Sequence, residues 1–254
     1  MRLYVVTEGL FESYLYPEWF KYLLPEYTNI KHIDDVNMYE NCYYFISNKG
    51  YNACYDQKGI PAVYNTIING LKDIYNYDLF DMLVYLGDSE NIPYDNPLYC
   101  INQRKNIIYD YIRNNAEIYV MELAKSKLKL IIQHNCIETW LLGNKKLIKQ
   151  NINDTDLKVL IDMYNVRNND PELMTMDYIP DGKQDIFKTV PQFHKYYLRK
   201  IVNFATKAQV NTKNIKNSYT YFSGNSYLKA LINRYKKDNH IKSFGYFFKN
   251  TEQK

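Results

Sequence analysis

Glycine is scarce in this chain, nine residues in 254, and no collagen-like repeat of it exists. Cysteine is scarcer. Cys42, Cys54, Cys100 and Cys136 are too few for a disulfide scaffold, and no two stand in the C-x-x-C spacing of a zinc or redox centre. Reduced thiols are therefore expected. The four histidines, His32, His134, His194 and His240, form no H-x-x-x-H pair, which argues against structural zinc. No apolar run approaches the roughly 18 residues a membrane helix needs. The opening residues, MRLYVVTEGLFES, carry acids where a secretory signal needs an apolar core, so a cytoplasmic protein without membrane contact is expected. There is no G-x-x-x-x-G-K-[ST] loop, which excludes a P-loop ATPase.

What is abundant is tyrosine, 28 residues, together with asparagine and lysine. AT-rich codon usage accounts for most of that excess, and stacking on nucleic-acid bases involves at most a few tyrosines. Charge is distributed unevenly. Lys183 to Lys254 holds 15 Lys/Arg against three Asp/Glu, a net +12, whereas residues 1–182 hold 17 against 25, a net −8. A basic surface attached to an acidic body is the reading. Arg199, Lys200 and Lys207 fall in the basic block, and so do Phe193, Tyr196, Tyr197, Phe204, Tyr219, Tyr221, Phe222 and Tyr227. Lysines and arginines neutralise phosphates and aromatic faces stack on bases, so nucleic acid, DNA or RNA, is the expected partner.

Hydrophobic patterning predicts an α/β order. Buried strands are expected at Arg2–Thr7, Cys42–Ser47, Met82–Leu86 and Leu128–Gln133. Between them lie stretches of helical period: one from Leu10 to Leu24 that Pro17 kinks or divides, then Ile60–Tyr75, Asn102–Asn114 and the short Cys136–Leu142. Strands alternating with helices imply a mainly parallel sheet with helices on both faces. After Asn144 the pattern is helical and loop-rich, and Pro180-Asp181-Gly182 reads as a turn. Three segments result: a core over 1–145, a helical connector over 146–182 and a basic, mostly helical extension over 183–254.

In open parallel sheets ligands bind beyond the carboxyl ends of the strands. The first strand runs into Glu8, the third into Asp88 and Glu90, and the fourth into His134 and Glu138. Carboxylate oxygens are the hard ligands that Mg²⁺ takes, and carboxylates that crowd together repel unless a cation or proton intervenes. Glu12 lies one helical turn beyond Glu8, on the same face.

The ordered set resembles the Toprim domains of primases, topoisomerases and overcoming-lysogenization-defect nucleases. Thr7-Glu8-Gly9-Leu10-Phe11-Glu12 is similar to their E-G-x-x-E opening, and Gly87-Asp88-Ser89-Glu90 takes the place of their D-x-D. Ile137-Glu138-Thr139-Trp140-Leu141-Leu142 resembles the E-x-W-L-L element of small abortive-infection and RloB-like members. The likeness covers roughly 1–145 and departs from the family at Glu90, where aspartate is usual. It implies a Mg²⁺- or Mn²⁺-dependent nuclease, in phage–host conflict, with Glu8 and Asp88 catalytic and Glu8, Asp88, Glu90, Glu12 and Glu138 on the metal. Lys145, Lys146, His194, Arg199, Lys200 and Lys207 are the candidate nucleic-acid contacts. The alternative is a non-catalytic nucleic-acid- or protein-binding module on a degenerate Toprim fold. A homodimer or a protein partner stays open. The chain has no room for topoisomerase gates and lacks a primase zinc module.

Overall fold

The computed structural model describes residues 1–47, 62–89, 96–148, 152–206 and 215–251. Five strands, β1 (Arg2–Thr7), β2 (Thr28–Ile30), β3 (Cys42–Ser47), β4 (Met82–Asp88) and β5 (Leu128–Gln133), form one parallel sheet in the order β2-β3-β1-β4-β5. The helices are α1 (Leu10–Leu23), α2 (Ala62–Tyr77), α3 (Pro97–Asn115), α4 (Ile118–Lys127), α5 (Ile137–Leu141), α6 (Thr155–Met163), α7 (Val190–Thr206), α8 (Ile215–Phe222), α9 (Asn225–Asp238) and α10 (Lys242–Thr251). The chain divides into two compact units. One comprises Met1–Gly87, Asn102–Ile132 and Thr251–Lys254, the other Asp88–Ile101 and Gln133–Asn250.

In the first unit β1 is the middle strand. It pairs parallel with β3 from Arg2↔Cys42 to Thr7↔Ser47, and with β4 from Leu3↔Met82 to Thr7↔Leu86. Its run LYVV is buried throughout, as a strand covered on both faces must be. β3 and β4 flank it on opposite sides, so the order of connection reverses beside β1, the place where such sheets bind ligands. On α2 the apolar positions Val63, Ile67, Ile68, Leu71 and Ile74 are buried at helical spacing. Gly70 sits on that side too. A Cβ there would lie 2.7 Å from Leu83 Cδ1 and 3.0 Å from Tyr4 Cε1, so only glycine lets α2 approach β1 and β4 this closely.

The expected strands are all present, and β4 runs two residues further than expected, taking in Gly87 and Asp88. Three features differ from the patterning. β2 is a three-residue strand of mixed polarity (TNI), too short to announce itself. α4 is barely amphipathic, burying only Val120 and Ala124. α1 runs as one helix through Pro17, which is itself buried among apolar neighbours. A helix whose packing face holds Leu15, Tyr16, Trp19 and Phe20 tolerates the missing hydrogen bond.

The second unit is helical. α7 turns Phe193, His194, Tyr197, Leu198 and Ile201 inward. Trp140 of α5 packs edge-on to Phe244 of α10, ring centroids 5.4 Å apart. Pro180 to Lys183 forms the expected turn, closed by Lys183 N–H to the Pro180 carbonyl at 3.0 Å, with Gly182 at φ 75°, where glycine is favoured.

Arg234 of α9 is buried, and its guanidinium donates to three backbone carbonyls. Nη1 reaches Arg167 O at 2.7 Å, and Nη2 reaches Val166 O at 3.0 Å and Asn169 O at 2.7 Å. A planar fork thus ties down a loop whose own backbone bonds include two onto the Asn165 carbonyl, from Asn168 and Asn169 N–H. Arg234→Lys keeps the charge and loses the fork. It is expected to cost about 2–4 kcal/mol, the scale of lost charged hydrogen bonds plus orphaned carbonyls, read as a lower urea midpoint. A midpoint equal to wild type would show that the fork is dispensable.

Candidate functional site

The carboxyl end of β1 hands the chain to Glu8 and Gly9, and α1 begins at Leu10 with Gly9 as its N-cap. The Glu8 carboxylate, 16% exposed, accepts from Arg104 Nη2 at 2.7 Å and from the Tyr85 hydroxyl. Tyr85 is fully buried, and a Cβ at Gly87, two residues along the same strand face, would overlap its ring. Gly87 is thus what allows the phenol to lie where it meets Glu8. Arg104 projects from α3 and also lies 5.5 Å from the Tyr64 ring centroid. Burial works against its positive charge, but Tyr85 and Glu8 outweigh that and hold the guanidinium protonated. The Tyr85 phenol is pushed well above its ordinary range by burial and by the neighbouring Glu8 charge.

Glu12 is buried in the first turn of α1, and a Cβ on Gly9 would overlap its carboxylate. Gly9 therefore cradles an acid at a helix N-terminus, where the helix dipole favours negative charge.

The second unit holds the other acids. Asp88 closes β4 and is 8% exposed. The next residue, Ser89, donates its N–H to the Gln133 carbonyl at 2.9 Å, and its hydroxyl meets His134 Nδ1 at 3.3 Å. Gln133 is fully buried at the end of β5, and among the described residues neither its Oε1 nor its Nε2 has a hydrogen-bond partner. An orphaned carboxamide beside an acidic strand end has hydrogen-bonding capacity that the described residues do not use. Glu138 lies in the first turn of α5, 3.7 Å from Lys195 Nζ. Glu90 lies outside the described residues, as does Lys207.

Among the described residues no group of three or more His, Cys, Asp and Glu side chains is gathered to hold a metal ion. Mg²⁺ does not require such a cage. It keeps several waters and takes one or two carboxylates plus substrate phosphates. The cradled Glu12 beside Glu8, and the orphaned Gln133 amide beside the acidic end of β4, fit that donor chemistry.

The basic candidates fare differently. His194, expected on a basic helix face, is fully buried. Its Nε2 donates to the Met174 carbonyl at 2.8 Å, which leaves Nδ1 to accept the Thr139 hydroxyl at 2.7 Å. Lys200 pairs with Asp156 at 2.9 Å and Lys145 with Asp238 at 2.7 Å. Arg199, Lys200 and Lys183 all lie within 5.7 Å of the Tyr196 ring centroid. Lys146 is exposed. Half of the interleaved aromatics are core, since Phe193, Tyr197, Phe222 and Tyr227 are buried, while Tyr196, Phe204 and Tyr219 are half-buried and Tyr221 is exposed. Sequence reasoning missed Arg104, Tyr85, Tyr64 and Gln133. The one signal for Arg104 is an arginine inside a helix whose neighbours Ile108 and Ile112 face the core.

No family model, curated protein or solved structure matches the chain.

Two tests follow from this geometry. Arg104→Gln leaves Glu8 in a mostly buried setting without its countercharge and is expected to cost about 3–5 kcal/mol. Adding Glu8→Gln should restore a large part of that, and a double-mutant cycle by urea unfolding reads the coupling. Additivity of the two losses would refute the pairing.

The second test concerns pH. Glu172 is buried, accepts both the N–H (3.0 Å) and the hydroxyl of Ser243, and is raised by burial to about 8. His134 and His194 are each lowered by burial to about 4. A raised folded-state pKa means stability falls as pH rises from the unfolded value, about 4.5, through about 8. Lowered histidines mean stability falls as pH drops from about 6.5 through about 4. Two histidines outweigh one acid below about 6.5, so maximal stability is expected near there. Glu172→Gln should flatten the decline between about 6.5 and 8 and steepen the acid limb between about 4.5 and 6.5. Parallel wild-type and variant profiles of thermal midpoint against pH would sink the assignment.

Proposed function

We propose that the chain is a Mg²⁺- or Mn²⁺-dependent phosphodiesterase of the Toprim-like kind, cutting DNA or RNA. The observation that carries this reading is the Glu8 carboxylate, delivered by the middle strand of a parallel sheet to the ligand-binding edge and fixed by two donors, Arg104 and Tyr85. Within the first unit Glu8 and Glu12 are the residues that would hold the ion; Asp88, Glu90 and Glu138 are the further acids of the resemblance. When bound, the ion lowers the pKa of attacking water and offsets charge on the leaving oxygen. The chain's own part is to keep Glu8 in one rotamer at the strand end, where it would act on the attacking water. Arg104 does this electrostatically, and the Tyr85 hydroxyl adds a directed hydrogen bond.

A second reading, a binding module without catalysis, is favoured by one observation: Arg104 already supplies a positive charge to Glu8. Cleavage of labelled single- and double-stranded DNA and RNA, with Mg²⁺ or Mn²⁺ and with EDTA as control, separates the two. Glu8→Gln and Asp88→Asn are each expected to lower divalent-dependent cleavage by roughly 10²–10⁴-fold, the range that acid–base groups supply. Glu90→Gln should hurt comparably if it stands in for the family's second aspartate. Wild-type protein that cuts none of the substrates and binds no Mn²⁺ by calorimetry would leave the binding module.

A further inference from the structure

We propose that the groove in the second unit between α9 and the Lys145–Leu147 turn holds the phosphodiester backbone of a nucleic-acid strand. The inference rests on the preceding reading only in taking nucleic acid as the ligand; it does not require cleavage.

The groove has a volume of about 440 Å³, and its lining includes Lys146, Ser226, Lys229, Asn233 and Lys237. On α9 the residues 226, 229, 233 and 237 recur at helical spacing and so form one stripe, and all four are exposed. From Ser226 to Lys237 the helix rises roughly 16 Å at 1.5 Å per residue. A nucleic-acid strand carries a charge about every 3.4 Å along a duplex axis, so the stripe is long enough for several phosphates.

The charges here are available. Among the described residues Lys146, Lys229 and Lys237 make no ion pair, whereas Lys145, Lys195 and Lys200 each face a carboxylate. The acid in the lining, Asp238, is already engaged by Lys145 at 2.7 Å and lies 3.7 Å from Arg234 Nε. An incoming anion therefore meets three unpaired ammonium groups and the neutral donors Ser226 and Asn233. Lysine, serine and asparagine are the side chains that position a phosphate backbone without reading its sequence. An acidic peptide is the competing partner, but regularly spaced charge along an extended stripe suits a phosphodiester chain better.

The test is fluorescence anisotropy with short labelled DNA and RNA oligonucleotides of one sequence, in EDTA so that cleavage cannot interfere. Lys146→Ala, Lys229→Ala and Lys237→Ala combined should weaken binding at least about tenfold. It should also reduce the slope of log affinity against log salt by about 2, since each phosphate contact on a single strand contributes about 0.7. A charge-matched control, Lys158→Ala, Lys188→Ala and Lys242→Ala combined, alters exposed lysines elsewhere in the same unit and should bind within about twofold of wild type. Preference for RNA over DNA would assign the strand's sugar and leave the groove assignment supported. Equal weakening by both triple variants, no weakening by the groove variant, or binding of polyglutamate but of neither oligonucleotide would overturn the proposal. Wild-type binding that the groove variant weakens, together with no cleavage in Mg²⁺ or Mn²⁺, counts against the nuclease reading alone.

Discussion

The rest of the first unit depends on the hydrogen bonding of β1 to a strand on each side. Its six residues have backbone partners on β3 and, from Leu3 on, on β4, so the strand can shift neither in register nor in plane. Because the sheet is parallel and the order of connection reverses beside β1, the residues just past Thr7 are placed at an edge that no described strand closes. Everything at Glu8 follows from that. Tyr85 is in register with Val6, Gly87 leaves space for the phenol, and α3 brings in a guanidinium to the same carboxylate oxygen, Oε1. A mostly buried acid with two donors has one favoured orientation, which is what a reacting group requires.

The strands were legible in the sequence because each is a short, continuous apolar run with turn-forming residues after it. Val5 and Val6, Leu83 and Val84, and Ile131 and Ile132 are buried as such runs should be. Glu8, Asp88 and Glu138 were legible for the same reason, since a polar residue directly after a buried run must sit at a strand end or in the helix that follows. Residues that act across the sheet were not. Arg104 stands 96 positions from the carboxylate it neutralises, and nothing local distinguishes it from a surface arginine. His194 was misread because a helix rich in lysine and tyrosine looks like a surface helix, whereas α7 alternates a basic stripe with an aromatic one and the histidine belongs to the latter. β2 and α4 were missed because neither is long enough, or amphipathic enough, to rise above its surroundings.

The second unit handles buried polarity by linking it. Ser243 stands at the centre of one such cluster. Its hydroxyl accepts from the Trp140 indole at 2.6 Å and from His134 N–H at 3.1 Å while donating to Glu172. A few residues away, Cys136, Thr139 and His194 form a second chain that ends on the Met174 carbonyl. In both clusters the titratable groups are kept neutral by burial, so the interior holds acids and imidazoles without holding charge. Such networks specify one packing, because any alternative arrangement of α5, α7 and α10 would strand a donor or an acceptor.

Gly70 has a consequence for how this chain can change over time. The close seat of α2 on β1 and β4 is a joint property of three positions: a residue without a side chain at 70, the Tyr4 ring and the Leu83 methyl groups. Position 70 cannot grow alone. A larger residue at 70 becomes acceptable only where 4 or 83 has already become smaller, so the permitted histories at these positions run in a fixed order. Drift that begins at the helix meets a steric barrier, while drift that begins in the strands opens a cavity first and is filled afterwards.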